Sequence, residues 1–198
     1  MLGTTTSDRV AKRRAATRRE ILDAAWAVAR EQGLGALTLR EVASRVGMRA
    51  PSLYSHFESK DAIYDAMYGQ AWRDFLDVVR DRTLPAEPGA ALLDIAETFF
   101  DFAVADLARY QLMNQRSVPG FEPSEENYAP AVEVLGQLRR DLAAIGVTEE
   151  SDVDLFTALT GGLVDQQLAN DPGGTRWRRQ LGRVIDMYVK EVKPRRRR

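Results

Sequence analysis

The chain has no cysteine in its 198 residues and a single histidine, His56. Without thiols there is no disulfide, no thiolate metal site and no cysteine nucleophile. One histidine argues against an imidazole-held metal. No apolar run approaches the roughly 20 residues of a membrane span. The N-terminus reads Thr, Ser and Arg where a signal peptide would carry an apolar core, so the expected location is the cytoplasm. Gly-rich phosphate loops and paired catalytic motifs are missing as well, so no enzyme is expected and no cofactor is implied. The alternating β-branched pattern of strands is also scarce, and Ala, Leu, Glu and Arg dominate.

What is there reads as an all-α protein with 44% apolar residues, long enough for one large domain or two small ones. The net charge of −1 conceals a polarised chain. Residues 1–60 carry 11 Lys/Arg against 6 Asp/Glu, residues 61–190 carry 12 against 22, and residues 191–198 carry 5 against 1. A basic head on an acidic body points to nucleic acid at one end.

The periodicity predicts a flexible basic arm over 1–16, a small helical head over 17–62, a larger helical body over 63–192 and a basic tail over 193–198. Thr17 and Glu20 form one capping box, and Thr38 and Glu41 a second. Gly33 and Gly47 end the two helices that follow. Pro51 suits the first turn of a third helix, and Ser59 caps a fourth that runs to about Arg80. In the body, helices are expected over about 90–107, 124–144 (with a possible kink at Pro130), 149–170 and 175–192, with a broken stretch over 108–123.

The most informative stretch is VGMRAPSLYSHFESK, Val46 to Lys60. Two short helices joined by a tight Gly turn, the second polar on one face, describe a helix-turn-helix. Leu53 and Phe57 hold the second helix to its core. Arg49, Ala50, Ser52, Ser55 and His56 point outward, small enough for close approach to base edges and able to hydrogen-bond them. Tyr54, His56 and Lys60 have the reach for phosphates. Thr38, with Arg40 after it, opens a helix N-terminus that favours an anion. The same spacing also fits a plain helical hairpin with a decorated surface.

Residues 21–67 resemble the DNA-binding domain of TetR/AcrR-type transcriptional regulators. The resemblance rests on the Leu-Thr-Leu-Arg opening, the Val-Gly-Met turn, the Leu-Tyr-x-His-Phe helix and the Ser-Lys that follows. It implies an all-α homodimer with a small N-terminal head and a body that binds a small molecule and dimerises through its last two helices. It implies repression of transcription at a palindromic operator, relieved by that molecule. On this pattern Thr38, Tyr54, His56 and Lys60 contact phosphates, while Arg49, Ala50, Ser52 and Ser55 face the bases and Pro51, also a DNA-binding position, keeps the helix start rigid. Many relatives carry Gly where Pro51 stands. The basic residues Arg9, Lys12, Arg13, Arg14 and Arg18 are expected either to reach neighbouring DNA or to be simply solvated.

For the body, Phe99, Phe102, Tyr110, Met113, Phe121, Tyr128, Phe156 and Gln166 are candidate pocket residues, with plain core packing as the alternative for the aromatic stripe. Leu155, Leu159, Gly162, Leu163, Leu181, Val184, Ile185 and Tyr188 form helical stripes that fit a dimer interface or the monomer core. The expected switch is a pendulum in which the fourth helix carries a ligand-driven movement to the head. A DNA binder that needs no ligand is the competing function. A dimeric interaction module with a vestigial head is the third.

Overall fold

The structure, a computed structural model, describes residues 6–193. Among these the chain is helical: α1 (Thr6–Gln32), α2 (Leu39–Val46), α3 (Ala50–Tyr54), α4 (Lys60–Arg80), α5 (Pro88–Val104), α6 (Leu107–Asn114), α7 (Glu125–Ala144), α8 (Glu150–Asn170) and α9 (Leu181–Val192). Single 3-10 turns stand at Leu34–Ala36 and Arg178–Gln180.

The flexible arm expected over 1–16 is corrected for its described part, since α1 begins at Thr6. Residues 6–32 contain neither Gly nor Pro. Ala11, Lys12, Arg13, Arg14, Ala15 and Ala16 are strong helix formers. Lys12 pairs with Asp8 one turn earlier at 3.1 Å. Thr17 therefore lies inside a helix and caps nothing. Residues 1–5 and 194–198, which include most of the expected basic tail, lie outside the described residues.

The remaining head signals act as local chemistry requires. Thr38 Oγ1 accepts from the Glu41 amide at 3.1 Å, capping α2. Gly47 closes α2 at φ 74°. There the Met48 amide donates to Ala43 O at 2.9 Å and the Gly47 amide to Ser44 O at 3.1 Å, the paired bonds of a Schellman stop. Pro51 sits in the first turn of α3. Ser59 Oγ accepts from the Ala62 amide at 3.0 Å and starts α4.

The chain forms two compact units, and the boundary differs from the expected one at 62/63. Of the described residues, the first unit holds those up to 71 and 111–128, the second 72–110 and those from 129 on. Residues 111–128 were expected in the body. They join the head because Asp65 on α4 caps the start of α7. Its carboxylate accepts from the Ser124 amide at 2.7 Å, the Ser124 hydroxyl at 2.8 Å and Asn127 Nδ2 at 2.7 Å. Asn127 also lies so close to Gly69 that a Cβ there would stand 2.0 Å from Asn127 Oδ1. The buried side chains of the first unit include Ile21, Ala25, Val28, Leu37, Val42, Leu53, Phe57, Ile63, Tyr64 and Met67. Trp26 Nε1 donates to Gln70 Oε1 at 3.0 Å, tying α1 to α4.

The second unit buries Leu92, Ile95, Phe100, Leu142, Val153, Phe156, Val164, Leu181, Ile185 and Tyr188 in one cluster. Burial pushes the Tyr188 hydroxyl up to about 12, with Asp152 adding to the effect, and that hydroxyl donates to Asp152 O at 2.9 Å. The helix expected over 90–107 ends at Val104, and half of the expected broken stretch is α6. The helix expected from 175 starts at Leu181 after the 3-10 turn, because Gln167 holds the preceding loop. Its side chain is buried, accepts from the Trp177 amide at 2.9 Å and donates to Asp171 O. α7 runs on through Pro130.

Candidate nucleic-acid interface

The first unit presents α3 as a short helix with one face down. Leu53 is fully buried and Phe57 nearly so, while Arg49, Pro51, Ser52, Tyr54 and Ser55 are exposed and Ala50 half-buried. Thr38, Arg40 and Lys60 are exposed beside it. The structure thus exposes on one unit every residue singled out around α3 except Ala50 and His56, which are half-buried. That imidazole is half-buried, with Nδ1 shut off from solvent and without a hydrogen-bond partner among the described residues. His56 is therefore only partly outward, with its Nδ1 inaccessible.

The donors differ in how free they are. Ser55 Oγ is turned back onto Ser52 O at 2.7 Å. Lys60 Nζ stands 5.5 Å from the Tyr64 ring centroid. Arg45 is occupied: its guanidinium grips both oxygens of Glu31 at 2.9 and 2.6 Å and reaches Glu41 at 3.2 Å. That grip holds the Glu31 carboxyl below its ordinary range and ties α2 to α1. Arg40 and Arg49 make no ion pair or hydrogen bond among the described residues. Their charges face solvent next to Ser52 and Thr38, an arrangement suited to polyanions.

Spacing had no means of assigning two basic residues of α1. Arg14 donates to Ser55 O at 3.0 Å, and Arg18 donates to His56 O while its guanidinium lies 3.9 Å from the Phe57 ring centroid. These pairs are 41 and 38 residues apart in the chain. No local signal announces them.

The candidate pocket residues divide. A cavity of about 610 Å³ in the first unit is lined by Tyr68, Leu112, Met113, Tyr128 and the stretch Asn114 to Pro123, which includes Phe121. Three of the expected residues, Met113, Phe121 and Tyr128, therefore share a wall. The other five belong to the second unit and are not among the residues lining this cavity. Phe99 and Phe102 pack on Phe75, with centroids 5.9 and 4.7 Å away. Phe156 packs on Tyr188 at 5.6 Å. Tyr110 donates to Asp165 Oδ1 at 2.9 Å, and burial followed by that bond pushes its hydroxyl well above the usual range. Gln166 is exposed and accepts from Asn170 at 2.9 Å. Tyr68 was missed, although it stacks on Tyr128 with centroids 6.4 Å apart.

The dimer stripes divide as well. Leu163, Leu181, Ile185 and Tyr188 belong to the second unit's own core, and Leu159 and Val184 pack partly against it. Leu155 and Gly162 stay exposed, as does Met187, which the stripe did not include.

Comparison with known proteins places this geometry in context. Residues 21–67 match the model of the bacterial regulatory proteins of the TetR family. The transcriptional repressor KstR2 of Mycobacterium tuberculosis is 41% identical over 70 residues, covering 35% of this chain and 33% of that protein. The chain spans about half the length, or less, of the curated relatives it matches. Among solved structures, the regulatory protein SCO4313 is 25% identical with a TM-score of 0.71, covering 91% of this chain and 97% of its own. The transcriptional regulator FadR of Bacillus subtilis, solved with stearoyl-CoA, shares the fold at 16% identity, with a TM-score of 0.65 and coverage of 88% and 98%.

Proposed function

Because the chain belongs to the TetR family of bacterial regulatory proteins, we propose that it is a cytoplasmic, sequence-specific DNA-binding repressor. In this reading it sits as a homodimer on a palindromic operator and is released by a small molecule. The observation that carries the reading is the outward face of α3, with Arg49, Ala50, Ser52 and Tyr54 presented over a buried Leu53. α3 enters the major groove with Arg49 and Ser52 at base edges. Thr38, Tyr54 and Lys60 hold flanking phosphates. Leu155, Gly162 and Met187, which the second unit leaves exposed on α8 and α9, supply the dimer contacts. The two recognition helices then stand about 34–36 Å apart, one turn of duplex.

Selection from a random duplex pool, followed by fluorescence anisotropy at several salt concentrations, tests this. A selected site with two half-sites is expected, bound in preference to a scrambled duplex. Arg49→Ala should relax the base preference at one position by about 1–3 kcal/mol. Lys60→Ala should weaken all duplexes alike and reduce the slope of log K against log salt by about 0.9. Equal loss of discrimination from both variants would count against the assignment of roles.

The cavity beside Tyr68 favours ligand control over a ligand-independent DNA binder. Its volume lies within the range of small-molecule sites, and its wall is joined to the head by specific contacts. The Phe121 ring packs on Tyr64 with centroids 5.8 Å apart, and the Tyr64 hydroxyl donates to Leu34 O at 2.5 Å, in the turn before α2. Any molecule that displaces Phe121 acts on that turn. Full switching from 99:1 to 1:99 needs about 5.5 kcal/mol of preference for the DNA-incompetent state. Compounds that raise the melting temperature identify the ligand. In Tyr64→Phe the ligand should still bind while its effect on DNA affinity shrinks severalfold. An undiminished response would remove Tyr64 from the relay.

A further inference from the structure

α3 has only five residues, far below the length at which a helix persists alone. Leu53 pins its middle. Its C-terminal end is closed by backbone and side-chain donors. Ser52 O takes the Ser55 amide at 3.2 Å, and Leu53 O takes the His56 and Phe57 amides at 2.9 and 3.0 Å. Ser55 O and His56 O, just past the helix end, take Arg14 and Arg18 of α1. Arg18 is half-buried and its guanidinium covers the Phe57 ring at 3.9 Å. Bonds from an ionised donor are stronger than neutral ones, and a cation at this end also complements the helix dipole.

We propose that Arg18, supported by Arg14, is a positioning residue for operator reading: it fixes the C-terminal end of the recognition helix instead of contacting DNA. The proposal rests on the DNA-binding reading above. Its physical consequence is selective. Arg49, Ser52 and Ser55 ride on α3 or its ends and lose register when that end is freed. Thr38 and Lys60 belong to other helices, so the phosphate contacts assigned to them stay in place. Discrimination between sequences therefore falls while sequence-blind affinity and its salt dependence hold.

The test compares wild type, Arg18→Lys, Arg18→Met and Arg14→Gln on the duplex selected by the wild-type protein and on a scrambled duplex, at several salt concentrations well below each melting temperature. Lys keeps the charge but neither the planar stack nor the paired donors, and Met keeps the stem over Phe57. For Arg18→Met the preference for the selected duplex is expected to fall at least about tenfold, with the salt slope changed by less than half of one phosphate contact. Arg18→Lys should recover part of that preference, and Arg14→Gln should lose less than Arg18→Met. If both duplexes weaken together and the slope shrinks by about 0.9 in Arg18→Met, Arg18 is a phosphate contact and the proposal fails. It fails equally if Arg18→Lys discriminates as well as wild type, or if Arg18→Met melts earlier yet keeps its preference. A wild-type protein that selects no preferred duplex would instead overturn the regulator reading, and the positioning role with it.

Discussion

Leu53→Ala is expected to destabilise the first unit by about 3 kcal/mol and to abolish preferential DNA binding at protein concentrations where wild type is saturated. Leu53 is the one residue of α3 that is buried, at 0% exposure. Truncation leaves a cavity between α3 and α2 that a five-residue helix cannot close without moving its own outward face. Stability and function therefore fall together. Fluorescence of Trp26 during urea unfolding, in a background where Trp72 and Trp177 are Phe, reads the first unit alone. A loss of less than about 1 kcal/mol would mean that Leu53 does not dock α3 as described.

Asp141→Ala is expected to cost the second unit about 3 kcal/mol, more than a surface ion pair would explain. The Arg82 and Asp141 side chains are only 10% and 13% exposed and meet at 2.6 Å. Gln137 Nε2 donates to the other carboxylate oxygen at 2.7 Å, and Asp94 stands 3.6 Å from Arg82 Nε. Arg82 thus ties the loop before α5 to both α5 and α7. Without Asp141 a nearly buried guanidinium keeps only one distant carboxylate. Replacing Arg82 by Met with Asp141 by Leu removes both charges and should recover most of that loss. Trp177, which packs against the second unit's core, reports the unfolding. Additive losses in the double variant would show that the two side chains are not coupled.

Much of the head was legible from residue types and intervals alone. The cap at Thr38, the Gly47 stop, Pro51 in the first turn and Ser59 before α4 are each decided within a few residues, so a one-dimensional reading reaches them. The arm was misjudged for a related reason: a polar, basic stretch resembles an unfolded one in composition, yet Ala, Arg and Lys without Gly or Pro sustain a helix. Aromatic and apolar stripes in the body showed which faces are buried but not against what. Phe156 and Tyr188, assigned to a pocket and to a dimer, instead pack on each other. Met113, Phe121 and Tyr128 do meet at a cavity, where Asp65 holds the start of α7 against α4.

The sequence by itself determined an all-α chain, a helix-turn-helix with Leu53 and Phe57 beneath it, and the outward residues Arg49, Ser52, Tyr54 and Lys60. Local hydrogen bonds and helical periodicity are short-range properties, and short-range chemistry is written in neighbouring residues. Tertiary structure alone decided that Arg14 and Arg18 close the end of α3, that residues 111–128 join the head, and that Tyr64 stands between Phe121 and the turn before α2. Those contacts join residues 30 to 62 positions apart. Distance in the chain carries no signal of proximity until packing and buried hydrogen bonds select one partner among many.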